Sequence, residues 1–418
     1  MGDLIKKNLL SIIALTVGLA ALIASWIISS GMTKAQIEDV RQDAVREANA
    51  INSILVDYEL PPLRPGEDPW SLTRVTPNAR MTQVVGERLR GLVSQSEQVR
   101  EAAIAHNRAG KNVLVQGLFP APEDADAQRV SLSARMVAAW PAAHEQLLED
   151  VNAGQAMDST QLTTRLTTRR QQIVESILGS RANQELSDAE QAEITEELVA
   201  LRLSLLKAHA DNYTVFADKG IFRKLSEVPA DGLVTADRYQ TLFWDWQHAY
   251  WVHRDLMAAV AKANDGMGVS AAPIKRIMSI TLEGAYNSEV TTGDLSQPIP
   301  EDYTRAFTGR NGGNPLYDVR YADVEAIIDL ARLPEIENAI SSTNFMTLID
   351  LDFTEYSPDQ DLRQGYFYGD QSLVRARMRI ETVWIRSWIE EFLPPRVREA
   401  MGLPVETDTP DDDDADQF

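Results

Sequence analysis

Five histidines, His106, His144, His209, His248 and His253, are the residues of this 418-residue chain best suited to metal binding or proton transfer. His248 and His253 share a helical stretch, yet a five-residue separation turns them about 140° apart, and no HExxH pair occurs. Zinc held by them needs carboxylates from other elements, so they read as histidines of amphipathic helices. The chain has no cysteine, which removes thiolate nucleophiles, disulfides and iron–sulfur ligation. Gly266-Met267-Gly268-Val269-Ser270-Ala271 fits a GxGxxA string, but a helix precedes it and Pro273 opens a strand, the reverse of a dinucleotide fingerprint. Gly110-Lys111 lacks the remaining residues of a phosphate loop, and no GxSxG is present. The acid pairs Asp350/Asp352 and Glu390/Glu391, and the run Asp411–Asp414, are neighbours to be expected among 62 acids. No catalytic, cofactor-binding or metal-ligating residue is assigned, and no enzymatic activity is expected.

With 62 acidic and 40 basic residues the net charge is −22, which argues against a nucleic-acid partner. The length suggests two or three structural units.

The elements that must position any functional surface begin at a membrane. Leu9–Ile28 runs twenty residues without a charge, about 30 Å of helix and enough to cross the hydrocarbon layer. A cleaved signal peptide is the competing reading, but its apolar region spans only about 7–15 residues. An uncleaved anchor over 9–29 is therefore expected, in contact with membrane lipid. Lys6 and Lys7 put the lead 1–8 in the cytoplasm and the bulk of the chain outside it. Beyond the anchor, Ile37, Val40, Ala44, Ile51 and Ile54 keep a 3-4-7 spacing with Glu47 spoiling one position, the pattern of a stalk or coiled-coil helix over 32–56. Three prolines among Pro61–Pro65 end it.

A helical subdomain is expected over 65–230, with helices near 81–108, 126–153, 160–180 and 187–217. Ser187 and Glu190 form a capping box for the last, and Leu198, Leu201, Leu203, Leu205 and Leu206 mark its buried face. Over 235–403 the pattern is helix (Asp237–Asn264), strand after Pro273, a Gly/Asn/Pro loop at Gly309–Pro315, and strand Tyr317–Leu330. Helix Leu333–Ser342 follows with Pro334 in its first turn, then strands Phe345–Tyr356 and around Val374–Thr382, and a short helix near Ile385–Phe392. Phe345, Thr347, Ile349, Leu351 and Phe353 are assigned one face of their strand. Arg375, Arg377 and Arg379 face outward, where Asp350 and Asp352 can meet them. The fold class is α+β: an αββ-αββ, permuted ferredoxin-like domain with a four-stranded antiparallel sheet. Residues 404–418 form an acidic, disordered tail.

Leu9–Ile28, the Ile37–Ile54 seam and the Val324–Ile380 unit with its Leu330-Ala331-Arg332-Leu333-Pro334 junction resemble the PilO-like and GspM-like bitopic proteins. Those are inner-membrane components of type IV pilus and type II secretion systems. The resemblance implies a non-enzymatic scaffold that aligns an assembly platform, as a homodimer or as a heterodimer with another bitopic protein, and supplies no catalytic residue. Partner-surface candidates are Ile37 and Val40 on the stalk, Trp244 and Trp251 on the aromatic helix, whose aromatics read equally as the core of a two-layer domain, and Tyr366, Phe367 and Tyr368 in a glycine-bracketed loop. The alternative is an extracytoplasmic ligand-binding or sensor module whose pocket lies in the helical insert.

Overall fold

The computed structural model describes residues 9–60, 68–76, 78–120, 125–179, 185–222, 236–283, 316–401, 403 and 404. The expected loop Gly309–Pro315, the prolines at 61–65 and most of the acidic tail lie outside the described residues. The chain forms two compact units, Met1–Glu101 and Ala102–Phe418.

In the first unit, the segments expected as anchor and stalk are one uninterrupted 46-residue helix, α1 (Leu9–Ile54). No proline interrupts it, and its hydroxyls turn inward on the helix: Thr16 donates to the Ile13 carbonyl at 3.0 Å and Ser30 to the Ile27 carbonyl at 3.0 Å. Such internal bonding suits a segment surrounded by lipid, where water offers no partner. Strands β1 (Val56–Leu60) and β2 (Trp70–Val75) then form an antiparallel ribbon that pairs Val56 with Val75 and Leu60 with Trp70. The sequence reading missed this ribbon because each strand is too short to show alternation. Helix α2 (Ala79–Arg108) follows, with the Asn78 side chain accepting from the Met81 amide at 2.9 Å, and it continues into the second unit.

The second unit is built on a six-stranded sheet. Its elements are α3 (Ala125–Asp150), β3 (Ala153–Gly154), α4 (Ser159–Leu178), α5 (Asp188–Ala210), β4 (Val215–Phe216), α6 (Ala236–Ala263), β5 (Ile274–Glu283) and β6 (Tyr317–Asp329). After them come α7 (Leu333–Thr343), β7 (Met346–Glu355), α8 (Asp359–Gln364), β8 (Leu373–Ile385), α9 (Arg386–Ile389) and α10 (Pro395–Ala400). Strand order is β3-β4-β5-β6-β8-β7. The four-stranded, ferredoxin-like sheet is thus corrected to six strands. The extra two are short segments of the helical insert that join the β5 edge in parallel, at Ala153–Val215 and Phe216–Arg276. Two-residue strands carry no periodicity, so no pattern announced them. The long strands β5, β6, β8 and β7 pair antiparallel, β6 with β8 from Tyr317–Ile385 to Asp329–Leu373.

Pro334 does sit in the first turn of α7, where its missing N–H costs nothing. The predicted face of β7 is corrected by a bulge between Leu348 and Asp350. The extra residue switches the alternation, so Met346 and Leu348 lie opposite Thr382 and Ile380, while Leu351 and Phe353 lie opposite Met378 and Ala376. Asp350 and Asp352 stand in register with Arg379 and Arg377 as expected. The ion pairs of this face also run to β6: Arg375 meets Glu325 at 2.6 Å and Arg377 meets Asp323 at 3.6 Å. The short helix after β8 is likewise two pieces, α9 with a 3₁₀ turn at Glu390–Phe392, and Pro395 then opens α10 instead of ending helical structure.

The α4–α5 pair closes on Leu162, Leu206 and Met157. In α5 Leu206 is buried but Leu203 is 39% exposed, so the leucines do not share a single face. The capping box is formed: the Ser187 amide donates to Glu190 Oε2 at 2.9 Å and the Glu190 amide to Ser187 Oγ at 3.4 Å. Ser187→Ala is expected to lower stability by about 1 kcal/mol, read from a urea midpoint. Ser187→Asp should retain most of it.

Candidate functional site

The seven surface candidates separate into two classes. Ile37 and Val40 lie open on α1, 61% and 69% exposed. Trp244 and Trp251 are corrected from surface to core, at 2% and 0% exposure. The reason is that α6 is covered on every side. Sheet and α7 take one face; α3 takes another; and the segment after α2 crosses a third, where Phe119 meets Trp244 edge-on at 5.6 Å. Trp251 donates to the Asn112 carbonyl at 2.9 Å and stacks on Trp384 at 6.3 Å, with Trp388 at 5.2 Å.

Tyr368 is also corrected to the interior at 2% exposure, while Tyr366 and Phe367 are half-buried. Their loop is pinned by Asp361, which accepts from the hydroxyls of Tyr356 and Tyr368 and from Arg276 Nη1 at 3.0 Å. Arg276 in turn lies over the Tyr366 ring at 4.0 Å. Gly365 makes the turn possible at φ +102°, where any Cβ would come within 2.5 Å of the Met157 carbonyl oxygen. The glycines that bracket the loop therefore signal close packing, not a protruding surface.

Within this core lies a polar assembly that the sequence reading did not foresee. The Lys111 ammonium meets Asp255 at 2.9 Å and lies over the Trp384 ring at 5.2 Å. Asp255 also accepts from Asn344 Nδ2 at 2.7 Å. Asn107 Nδ2 bonds Asn344 at 3.1 Å and the Val383 carbonyl at 2.9 Å, and its Oδ1 accepts from Trp388 Nε1 and the Ile385 amide, each at 2.8 Å. Asp245 pairs with Arg320 at 2.7 Å, with both side chains at most 2% exposed. Asp318 pairs with Arg386 at the end of β6. Burial pushes the Asp245, Asp255 and Asp318 carboxyls up, and their cationic partners oppose it. The available signal was α6 itself, where Asp245, Gln247, His248, His253 and Asp255 punctuate a helix too aromatic to be anything but buried.

The histidines belong to the same interior. His144, His248 and His253 are buried, at 3%, 2% and 0% exposure. His248 and His253 do face apart. His253 meets His144 of α3, whereas His248 packs edge-on against Trp384 at 4.6 Å. Among the described residues no group of three metal-ligating side chains forms. Desolvation holds His144 down at about 4, and keeps His248 and His253 well below the usual imidazole range.

Neutral in the folded chain, these imidazoles take up protons on unfolding below pH about 6.5, so each withdraws about 1.4 kcal/mol of stability per pH unit as pH falls. For His144 the loss ends near its folded value of about 4. The buried carboxyls act in the opposite sense, and comparison with a variant isolates the imidazole. Between pH 6.5 and 4, wild-type stability is expected to fall relative to His144→Gln by about 1.4 kcal/mol per unit, measured by urea titration at each pH.

Between α6, α7 and the sheet lies a cavity of about 20 Å³ lined by Leu256, Val260, Ile277, Ile336 and Met378 among others. That apolar space is room for a single water, not for a ligand.

The remaining built feature is the apolar helix. Between Ile13 and Ala50 its side chains are open apart from a half-buried Ser30, and it is long and apolar enough to cross a membrane. Among the described residues, then, the feature that stands out is this one long apolar helix with Ile37 and Val40 exposed beyond its apolar part. No family model matches the chain, and no curated protein matches it. Among solved structures, the type 4 fimbrial biogenesis protein PilO from Pseudomonas aeruginosa matches 52% of this chain and 98% of its own length, at 12% identity and a TM-score of 0.17. At that score the likeness carries no argument.

Proposed function

We propose that the chain is a non-enzymatic, single-pass scaffold of a bacterial inner membrane. Its N-terminus lies in the cytoplasm and its second unit outside it. It acts as an assembly component of the kind that serves type IV pilus or type II secretion platforms, by pairing along its stalk with a second copy or with another bitopic protein. The observation that carries this reading is α1, one helix that runs without a break from an apolar span into a stalk with Ile37 and Val40 exposed. A helix of this kind standing alone in water is marginal, because most helical stability in proteins comes from packing an apolar face. Covering that face with a partner removes the deficit.

Co-purification tests the reading. Two differently tagged copies expressed together should be recovered as a pair from detergent-solubilised membranes, and Ile37→Asp with Val40→Asp should abolish recovery while leaving each copy in the membrane. Undiminished pairing in the double variant overturns stalk-mediated association.

A further inference from the structure

A pair of histidines joins α3 to α6, and its geometry fixes its protons. His144 Nδ1 lies 2.8 Å from the Trp140 carbonyl oxygen, an acceptor, so Nδ1 carries the proton. In a neutral ring Nε2 is then a bare acceptor, and it lies 2.9 Å from His253 Nδ1, which must donate. That leaves His253 Nε2 as a buried lone pair without a hydrogen-bond partner. The contact fails when both rings are charged: one added proton still leaves a donor facing an acceptor, with the His253 proton on Nε2, whereas two set N–H groups on His144 Nε2 and His253 Nδ1 against each other.

The surroundings give an added charge nowhere to go. From α3, Trp140 packs on His144 at 4.2 Å; from the segment between β4 and α6, Phe222 packs on it at 4.6 Å; and from α6, Tyr250 does so at 5.6 Å. Phe222 also lies 5.0 Å from His253. The titratable and charged groups that bear on the pair are Tyr250, with Arg254 and Asp150 near it, and Arg320 of β6, whose positive charge disfavours a proton on His253. Asp245, the nearby carboxylate, is already engaged by Arg320.

The attachment of α3 to the sheet is slight. It continues into β3, which pairs with β4 over two residues, and β4 pairs with β5 at Phe216–Arg276. β6 and β8, by contrast, are paired over their whole lengths.

We propose that the His144–His253 contact is an acid-sensitive latch: protonation of the two imidazoles parts α3 from α6, with β3 and β4, while the antiparallel sheet β5-β6-β8-β7 stays folded. The parted state takes up two protons and exposes the aromatic surface of Trp140, Trp246 and Phe222. His248 plays no part, since it packs among Trp244, Trp251 and Trp384.

Hydrogen exchange on the full chain in detergent, followed from pH 7 to pH 4, tests the latch. Amides of residues 130–150 should lose protection at least tenfold more than those of β6 and β8, with a midpoint below pH 6 and a steepness of two protons. His144→Gln with His253→Gln should abolish the selective loss, and His248→Gln should leave it in place. Should the double variant fail to fold, ¹⁵N titration of wild-type imidazoles replaces it: His144 and His253 should titrate together, as α3 opens. Loss of protection in 130–150 and the sheet at one midpoint overturns the proposal. So does selective opening that persists in the double variant, or titration of His144 without His253.

Discussion

Asp245→Ala is expected to destabilise the second unit by about 3–5 kcal/mol. The Arg320 guanidinium that Asp245 balances is 1% exposed, and without the carboxylate it keeps its desolvation cost but loses the interaction that offsets it. A hydrophobic pair of similar volume, Asp245→Leu with Arg320→Met, should recover most of the loss, because neither residue then holds a charge out of water. Urea unfolding followed by tryptophan fluorescence measures both, since Trp244 and Trp246 flank the site. A single variant within about 1 kcal/mol of wild type would mean that the pair is not buried as described.

Deleting residues 1–30 should move the protein from the membrane fraction to the supernatant. Insertion of a transmembrane helix is effectively irreversible on the scale of surface attachment, so the change is all or none in a carbonate wash. The second unit should stay folded, since its principal core cluster draws on residues from Ile104 to Leu403, all beyond the deletion. A milder version, Leu19→Arg, adds about 2.5–3.5 kcal/mol at the centre of the span and should leave a fraction uninserted.

How much of this was legible in the sequence depended on whether the signal was local. The apolar helix at the start, α7 with Pro334 at its start, and strands β5, β6, β7 and β8 each carry their own periodicity or breaker, and each was read within a few residues. The ribbon β1–β2 and the strands β3 and β4 were not, because five residues or two give no period to detect. β7 shows a subtler limit. Alternation was real in each half, but the bulge after Leu348 changes which residues face inward, and nothing in the residues 346–355 marks where. The aromatic residues show the opposite error. Trp244, Trp251 and Tyr368 have the composition of a binding surface, yet large aromatic side chains are also what a packed core uses. Only the chain's long-range path decides, and here Asn112 and Phe119 arrive from far along the sequence to cover Trp251 and Trp244, as Phe216 does for Tyr368. Of the buried polar assembly only the polar residues within α6 left a signal, and its other members were illegible for the same reason. Lys111, Asn344 and Asn107 are each ordinary surface residues by type, and only their hydrogen bonds to one another and to Asp255 make their burial tolerable.

The central claim, that the stalk is a paired helix, is tested most directly by single cysteines in membranes, which the cysteine-free chain permits. Val40 lies on the Ile37–Ile54 seam and Val45 lies off it, although both are exposed in the single chain, at 69% and 52%. Val40→Cys should give a disulfide-linked dimer under mild oxidation and Val45→Cys should remain monomeric. Monomers alone from Val40→Cys, with the protein in the membrane fraction, or equal crosslinking at both positions, would contradict the account.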